Sequence, residues 1–308
     1  MTDFTRNARS HPGSTHGHTH NNRTELRRAR GFTLVELVVT LVVSSIVAGF
    51  IAALLATPVQ AYFSQTSRAA LVDSAEAIVR NLDADVRTAL PNSLRLGVNG
   101  NIVVLELLAT ADAQRYWEVN ESNNSAQVLD FTTADTQFST LGAFNAAVHG
   151  LPAKSFYLVV NNTRNAGYTA YQLANVVAPK TSVTLGATAN GEDPITLAPG
   201  FKFVQASPTH TVFVMTQPVA YLCDQTARTL TRYSGYSIAP NITQRNTAAK
   251  LNAAGATSAL VAMYPAACQF DFQDGTNYHG GLLSVRVQLV NGNDSLPLFH
   301  QIPVERIP

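Results

Sequence analysis

Few residues in this chain have types and spacing suited to chemistry. Glu36 is the sole acidic residue between Glu25 and Asp73, and it heads an apolar run, Leu37 to Ala56, that holds no charged residue. A carboxylate at a bilayer centre costs about 2.5 to 3.5 kcal/mol on the insertion scale, so Glu36 needs a partner or a special location. The chain has two cysteines, Cys223 and Cys268, and both follow that run. In an oxidising compartment they would join as a disulfide worth about 4 kcal/mol by loop closure; otherwise they stay as two buried free thiols. His16, His18 and His20 alternate with Gly17 and Thr19, a spacing that suits a divalent cation. No Cys or carboxylate cluster completes that site, so neither a metal nor a cofactor is expected.

Catalytic patterns are missing from the remainder. His149, His210, His279 and His300 are scattered, and no Gly-x-Ser-x-Gly, His-Glu-x-x-His, Walker or dinucleotide-binding glycine pattern occurs. The expectation is a protein that is not an enzyme. Asp271 and Asp274 before Gly275 do not fit the twelve-residue calcium loop and read as a turn. Tyr116, Trp117, Tyr233 and Tyr236 suit either a glycan-binding surface or, more simply, core and cross-strand pairs.

The elements that must position these residues follow from composition and period. Residues 1–31 carry six arginines, Arg6, Arg9, Arg23, Arg27, Arg28 and Arg30, against Asp3 and Glu25. This end therefore stays cytoplasmic, and its polar composition cannot bury a core. The apolar run that follows is about twenty residues, enough for roughly 30 Å of helix. Thr40, Ser44, Ser45, Ala48, Gly49 and Ala52 give it small faces that let helices approach closely. Ala52, Ala53 and Ala56 also offer a signal-peptidase-like cut, which would release the remainder as a periplasmic protein. Beyond Pro58, apolar residues recur at Tyr62, Phe63, Leu71, Val72, Ala75, Ile78, Val79, Leu82, Val86 and Leu90. That period near 3.6 predicts an amphipathic helix, interrupted or kinked around residues 54–58 by Pro58 and stopped by Pro91.

Arg30-Gly31-Phe32-Thr33-Leu34-Val35-Glu36, basic residues before it and the apolar helix after it, resemble the processing and assembly signal of type IV prepilins and pseudopilins. The resemblance implies cleavage between Gly31 and Phe32 by a prepilin peptidase, with N-methylation of the new Phe32 amine. It also implies pairing of Glu36 with the N-terminal amine of a neighbouring subunit, a contact that would offset the desolvation of the carboxylate. The partners implied are other major and minor pilins through the helix, and the inner membrane before assembly. Pro58–Tyr62, Arg68–Asp73, Val86–Ser93, Leu230–Tyr233 and Leu298–Val304 are similar to the MshO-type minor pilins of the mannose-sensitive haemagglutinin pilus. That subgroup in turn resembles the larger minor pseudopilins of type II secretion.

After Pro91, short apolar or alternating runs between Asn, Gly, Asp and Thr clusters read as strands: Ile102–Leu108, Arg115–Val119, Ser155–Val160, Phe201–Gln205, Thr211–Met215, Ala220–Cys223, Thr229–Tyr236, Gln269–Phe272, Leu282–Leu289 and Leu298–Ile302. Ala248 to Ala262, with Gly255 as its one breaker, reads as a short helix. The expected class is α+β and pilin-like: leader 1–31, membrane and assembly helix 32–57, amphipathic helix 58–91, and a β-rich head 92–308. Charged residues are 13% of the chain, well below the roughly 25% usual for soluble proteins. Without residues 1–31, which hold six of 21 basic and two of 20 acidic residues, the net charge is about −3, and no basic footprint for nucleic acid is left.

Overall fold

Helix α1 runs from Leu34 to Arg87 without a break. The computed structural model describes residues 31–119, 124, 127–273 and 281–304, and the chain divides into two compact units, Met1–Val59 and Gln60–Pro308. Residues 54–58 are helical, so the interruption expected at Pro58 does not occur. One missing donor is tolerated where the turns on both sides keep their own hydrogen bonds.

The second unit holds α1 from Gln60 to Arg87 and the strands. These are β1 (Arg95–Asn99), β2 (Ile102–Arg115), β3 (Asp135–Ser139), helix α2 (Ala146–His149), β4 (Tyr157–Val160), β5 (Val177–Ala178), β6 (Val183–Leu185), β7 (Pro194–Phe201), β8 (Thr211–Asp224), β9 (Thr229–Ser234), helix α3 (Ala248–Ala253), β10 (Thr257–Met263), β11 (Pro265–Gln273), β12 (Gly281–Asn291) and β13 (Asp294–Val304). The class is α+β: an N-terminal apolar helix followed by a β-rich domain. A seven-stranded sheet runs β1-β2-β8-β4-β5 with β9 and β10 branching from β8, and two three-stranded sheets run β11-β12-β13 and β3-β7-β6.

Strand β8 organises the large sheet. It pairs with β2 along its length, with β4 through residues 212–215 and with β9 through residues 219–224. Pro218 falls in the gap between those two neighbours, where a missing N–H costs no second ladder bond. The two expected strands Thr211–Met215 and Ala220–Cys223 are thus one strand, because Pro218 sits where the sheet leaves room for it. Three further expectations are corrected. Arg115–Val119 is not a strand: Arg115 ends β2, and Tyr116 and Trp117 make only isolated bridges to Thr140 and Val128. Phe201 closes β7 rather than opening a strand, since residues 194–201 pair with β3 and β6. The Ala248–Ala262 segment is helix only to Ala253; Gly255, at φ +88°, turns the chain into β10.

The amphipathic stripe of α1 is covered as its period requires. Leu71, Ala75, Ile78, Leu82 and Val86 are buried with Leu105, Leu107 and Tyr221 of the large sheet and with Leu283, Val285, Val287 and Ile302 of the β11–β13 sheet. Burying each of the four larger side chains contributes about 1.5 to 3 kcal/mol. At the edge of that core Asp85 accepts from Arg232 Nε at 2.6 Å and from the Tyr221 hydroxyl at 2.5 Å, clamping the helix to β8 and β9. A separate core beneath β3, β6 and β7 is built on Tyr116, Phe138, Phe156 and Phe203.

Cys223 of β8 and Cys268 of β11 are joined by a disulfide that closes a 45-residue separation and ties the large sheet to β11–β13. Replacing both by alanine is expected to cost about 4 kcal/mol in the loop-closure model, a fall of roughly 8 to 16 °C in melting temperature for a unit of this size. Calorimetry of the full chain in detergent would measure it, and an unchanged midpoint would show the bond to be energetically idle. The buried tyrosines give a pH expectation. Burial pushes the Tyr116 phenol up to about 12 and also raises Tyr171, Tyr221, Tyr233 and Tyr236. Folding then favours the protonated phenols, so this stability is complete below about pH 10 and is lost as pH rises through the folded values. Phenolate absorbance should therefore rise in two phases, the second coinciding with unfolding; one transition near the ordinary phenol value with native circular dichroism intact would contradict it.

Candidate functional site

The start of α1, just after the Gly31–Phe32 bond, is capped by one hydroxyl. Residues 31–33 are not helical; Thr33 Oγ1 accepts the backbone N–H of Glu36 at 3.2 Å, and the Thr33 carbonyl accepts from the Leu37 N–H at 3.1 Å. Thr33 is the N-cap of α1 and Glu36 its third residue, the spacing of a capping box. Such a cap is worth about 1 kcal/mol. It also puts the Glu36 carboxylate in the first turn, where the exposed N–H groups of the helix favour negative charge.

From Leu34 to Leu55, α1 is long and apolar enough to cross a membrane, and none of those 22 residues is buried. Its apolar residues surround the axis: Leu34 is 79% exposed, Phe50 70% and Leu54 70%. Two of the three hydroxyls within the run are satisfied inside the helix, Thr40 donating to the Leu37 carbonyl at 2.9 Å and Ser45 to the Leu41 carbonyl at 2.7 Å. A helix that is greasy all round suits lipid or other helices. Among the described residues, no cation pairs with Glu36, which leaves its carboxylate open to a partner from another molecule.

The other candidates do not converge on a reactive centre. His149 Nε2 lies 3.0 Å from Oδ2 of the fully buried Asp193 and 3.4 Å from Thr188 Oγ1. Both neighbours meet the same ring nitrogen, and Thr188 itself donates to Asp193 at 2.5 Å. The group therefore braces α2 against the β6–β7 connection and has no base-to-nucleophile relay. His210 Nε2 pairs with Glu118 at 2.6 Å, and His300 Nε2 is 3.7 Å from Asp83. Asp271 pairs with Arg286 at 2.7 Å across β11 and β12. Among the described residues, no three His, Cys, Asp or Glu side chains group as a metal site. His16, His18, His20, Asp274 and His279 lie outside the described residues. Tyr116, Tyr233 and Tyr236 are buried, so they serve the core rather than a glycan surface; the buried Trp117 indole N–H has no hydrogen-bond partner among the described residues.

Sequence reasoning missed the buried charges. Glu106 is fully buried on β2 directly opposite Arg95 of β1, with Arg95 Nε 2.6 Å from Oε2 and the Tyr236 hydroxyl donating to Oε1 at 2.8 Å. Arg95 also donates to the Ala239 and Pro240 carbonyls and lies 3.5 Å over the Tyr171 ring. A signal was present: an acid in the middle of the apolar run Ile102–Leu108 requires a partner.

Residues 26–52 match the family described as the prokaryotic N-terminal methylation motif. No curated protein and no solved structure matches the chain. The motif spans the basic residues Arg27, Arg28 and Arg30, the Gly31–Phe32 bond, the Thr33 cap, Glu36 and most of the apolar helix. It supports a pilin-type or pseudopilin-type subunit, with processing by a prepilin peptidase and pilin assembly.

Proposed function

We propose that the chain is a minor pilin of a type IV pilus of the mannose-sensitive haemagglutinin kind, a structural or initiating subunit in pilus biogenesis. The observation that carries this reading is the methylation motif running without a gap into a helix that is capped at Thr33, apolar on every side and unburied. In this reading a prepilin peptidase removes residues 1–31 by cutting between Gly31 and Phe32, and the new Phe32 amine is methylated. The helix then holds the subunit in the bacterial inner membrane, with the arginine-rich end cytoplasmic and the disulfide-bonded head in the oxidising periplasm. On assembly, Glu36 pairs with the Phe32 ammonium of a neighbouring subunit. Charge pairing there offsets the cost of moving the carboxylate into an apolar surrounding.

A minor pseudopilin of a type II secretion system would use the same helix, cap and carboxylate. Genome context and the identity of the co-purifying subunits separate the two. The tip-adhesin reading would rest on a surface of Tyr116, Trp117, Tyr233 and Tyr236, of which the three tyrosines are buried and Trp117 is half-buried.

Intact mass and terminal sequencing of the protein from its native membrane should give a chain that starts at Phe32 and carries one added methyl group. A start after Ala52 to Ala56 would overturn the pilin reading. Glu36→Ala should leave that cut in place while reducing incorporation into filaments, and normal incorporation would remove Glu36 from the assembly step. Gly31→Glu serves as the control, accumulating as an uncut, membrane-retained precursor.

A further inference from the structure

The polarity of α1 changes in three steps. Residues 37–56 are apolar and uncharged, residues 57–67 are also uncharged, and the first charge after Glu36 is Arg68. From there to Arg87, charges recur at Asp73, Glu76, Arg80, Asp83 and Asp85. The apolar run, about twenty residues, fills the hydrocarbon layer of a bilayer, and the charged stretch belongs in water. The middle step fits neither. It ends on Ser64, Gln65, Thr66 and Ser67 in succession, too polar for hydrocarbon, yet it carries no charge.

Tyr62 and Phe63 lie in that middle step. They are 67% and 66% exposed, and their rings meet edge to face with centroids 6.1 Å apart. The stripe of α1 that the sheets cover starts at Leu71, so the sheets leave both rings open. Their place in the chain indicates what covers them. Tyr62 and Phe63 follow Ala56 by six and seven residues, about 9 to 11 Å along a helix at 1.5 Å per residue. Helical side chains lean toward the N-terminus, which brings both rings back toward the apolar run. The headgroup layer beyond the hydrocarbon is about 5 to 8 Å deep, so the rings reach it. Aromatic side chains favour that layer, and a tyrosine can keep its ring in lipid and its hydroxyl in water.

We propose that Tyr62 and Phe63 are interfacial anchors that dock in the phospholipid headgroup layer and set how deeply the helix sits in the membrane before assembly. The occupant of this exposed aromatic pair is lipid, continuous with the lipid around the apolar run. The proposal rests on the reading of Leu34–Leu55 as a membrane span, and the test separates the two.

The full chain is reconstituted in phospholipid vesicles as Phe63→Trp and, for a depth reference in the middle of the apolar run, as Ile46→Trp. Both positions are exposed, so neither substitution disturbs a core. Trp117 is the one native tryptophan, and the emission of the native chain is subtracted from both. Phe63→Trp should be quenched several-fold more by lipids brominated at the headgroup end of the acyl chains than by lipids brominated at the methyl end. Ile46→Trp should show the reverse order. A Phe63→Trp emission that neither lipid quenches, beside a quenched Ile46→Trp, would overturn the anchors and leave the span standing, the ring then lying in water or against another protein. Equal or stronger quenching of Phe63→Trp from the methyl end would also overturn them, because the ring would then lie in the hydrocarbon. An Ile46→Trp emission that neither lipid quenches would remove the span, and the anchors with it.

Discussion

The globular unit depends on the burial of one helical stripe. Leu71, Ala75, Ile78, Leu82 and Val86 line a single face of α1, and the large sheet and the β11–β13 sheet both pack on it. The stripe therefore fixes which residues of β2, β8, β12 and β13 point inward, because a one-residue slip in any strand would turn its apolar set outward. The Asp85 contacts with Arg232 and Tyr221 lock the helix at one position along β8 and β9. Hydrophobic burial supplies the energy, and the charge-assisted hydrogen bonds supply the register.

The same helix meets two environments, and its sequence changes accordingly. Around Leu34 to Leu55 apolar residues occur on all sides, whereas beyond Arg68 they are confined to a stripe, with Asp73, Glu76, Arg80 and Asp83 on the other side. The one acid in the first part sits where a helix start favours negative charge. Its location beside the Thr33 cap holds the carboxylate at the start of the helix, within the methylation motif.

Low charge content shapes the head as well. Although Lys, Arg, Asp and Glu are few, two of them are placed inside: Glu106 and Asp193 are fully buried. Each is matched by a close set of donors, Arg95 and Tyr236 for the first, Thr188, His149 and the Phe144 N–H for the second. Breaking such a pair from one side leaves an uncompensated buried charge, at a cost of about 3 to 5 kcal/mol. The disulfide adds a covalent tie between the large sheet and β11–β13.

The sequence by itself determined the helix, its apolar and amphipathic stretches, and the class of the domain that follows. These rest on local period and composition: the 3.6-residue spacing from Leu71 to Val86, the uncharged run from Leu37 to Ala56, and the fixed order of residues from Arg30 to Glu36. It also marked most long strands, such as β9, β12 and β13, whose alternation is regular. Tertiary structure alone decided the rest. Whether Pro218 ends a strand depends on whether a neighbour needs its N–H, and the gap between β4 and β9 means that none does. Whether Tyr116, Tyr233 and Tyr236 face a ligand or the core, and which cation Glu106 meets, depend on partners many residues away in the chain. Arg95 reaches Glu106 because a tight β-hairpin sets them opposite each other. Local pattern fixes which elements form, because backbone geometry is periodic; only the assembled sheets fix which polar groups are buried, because burial is a property of what packs on top.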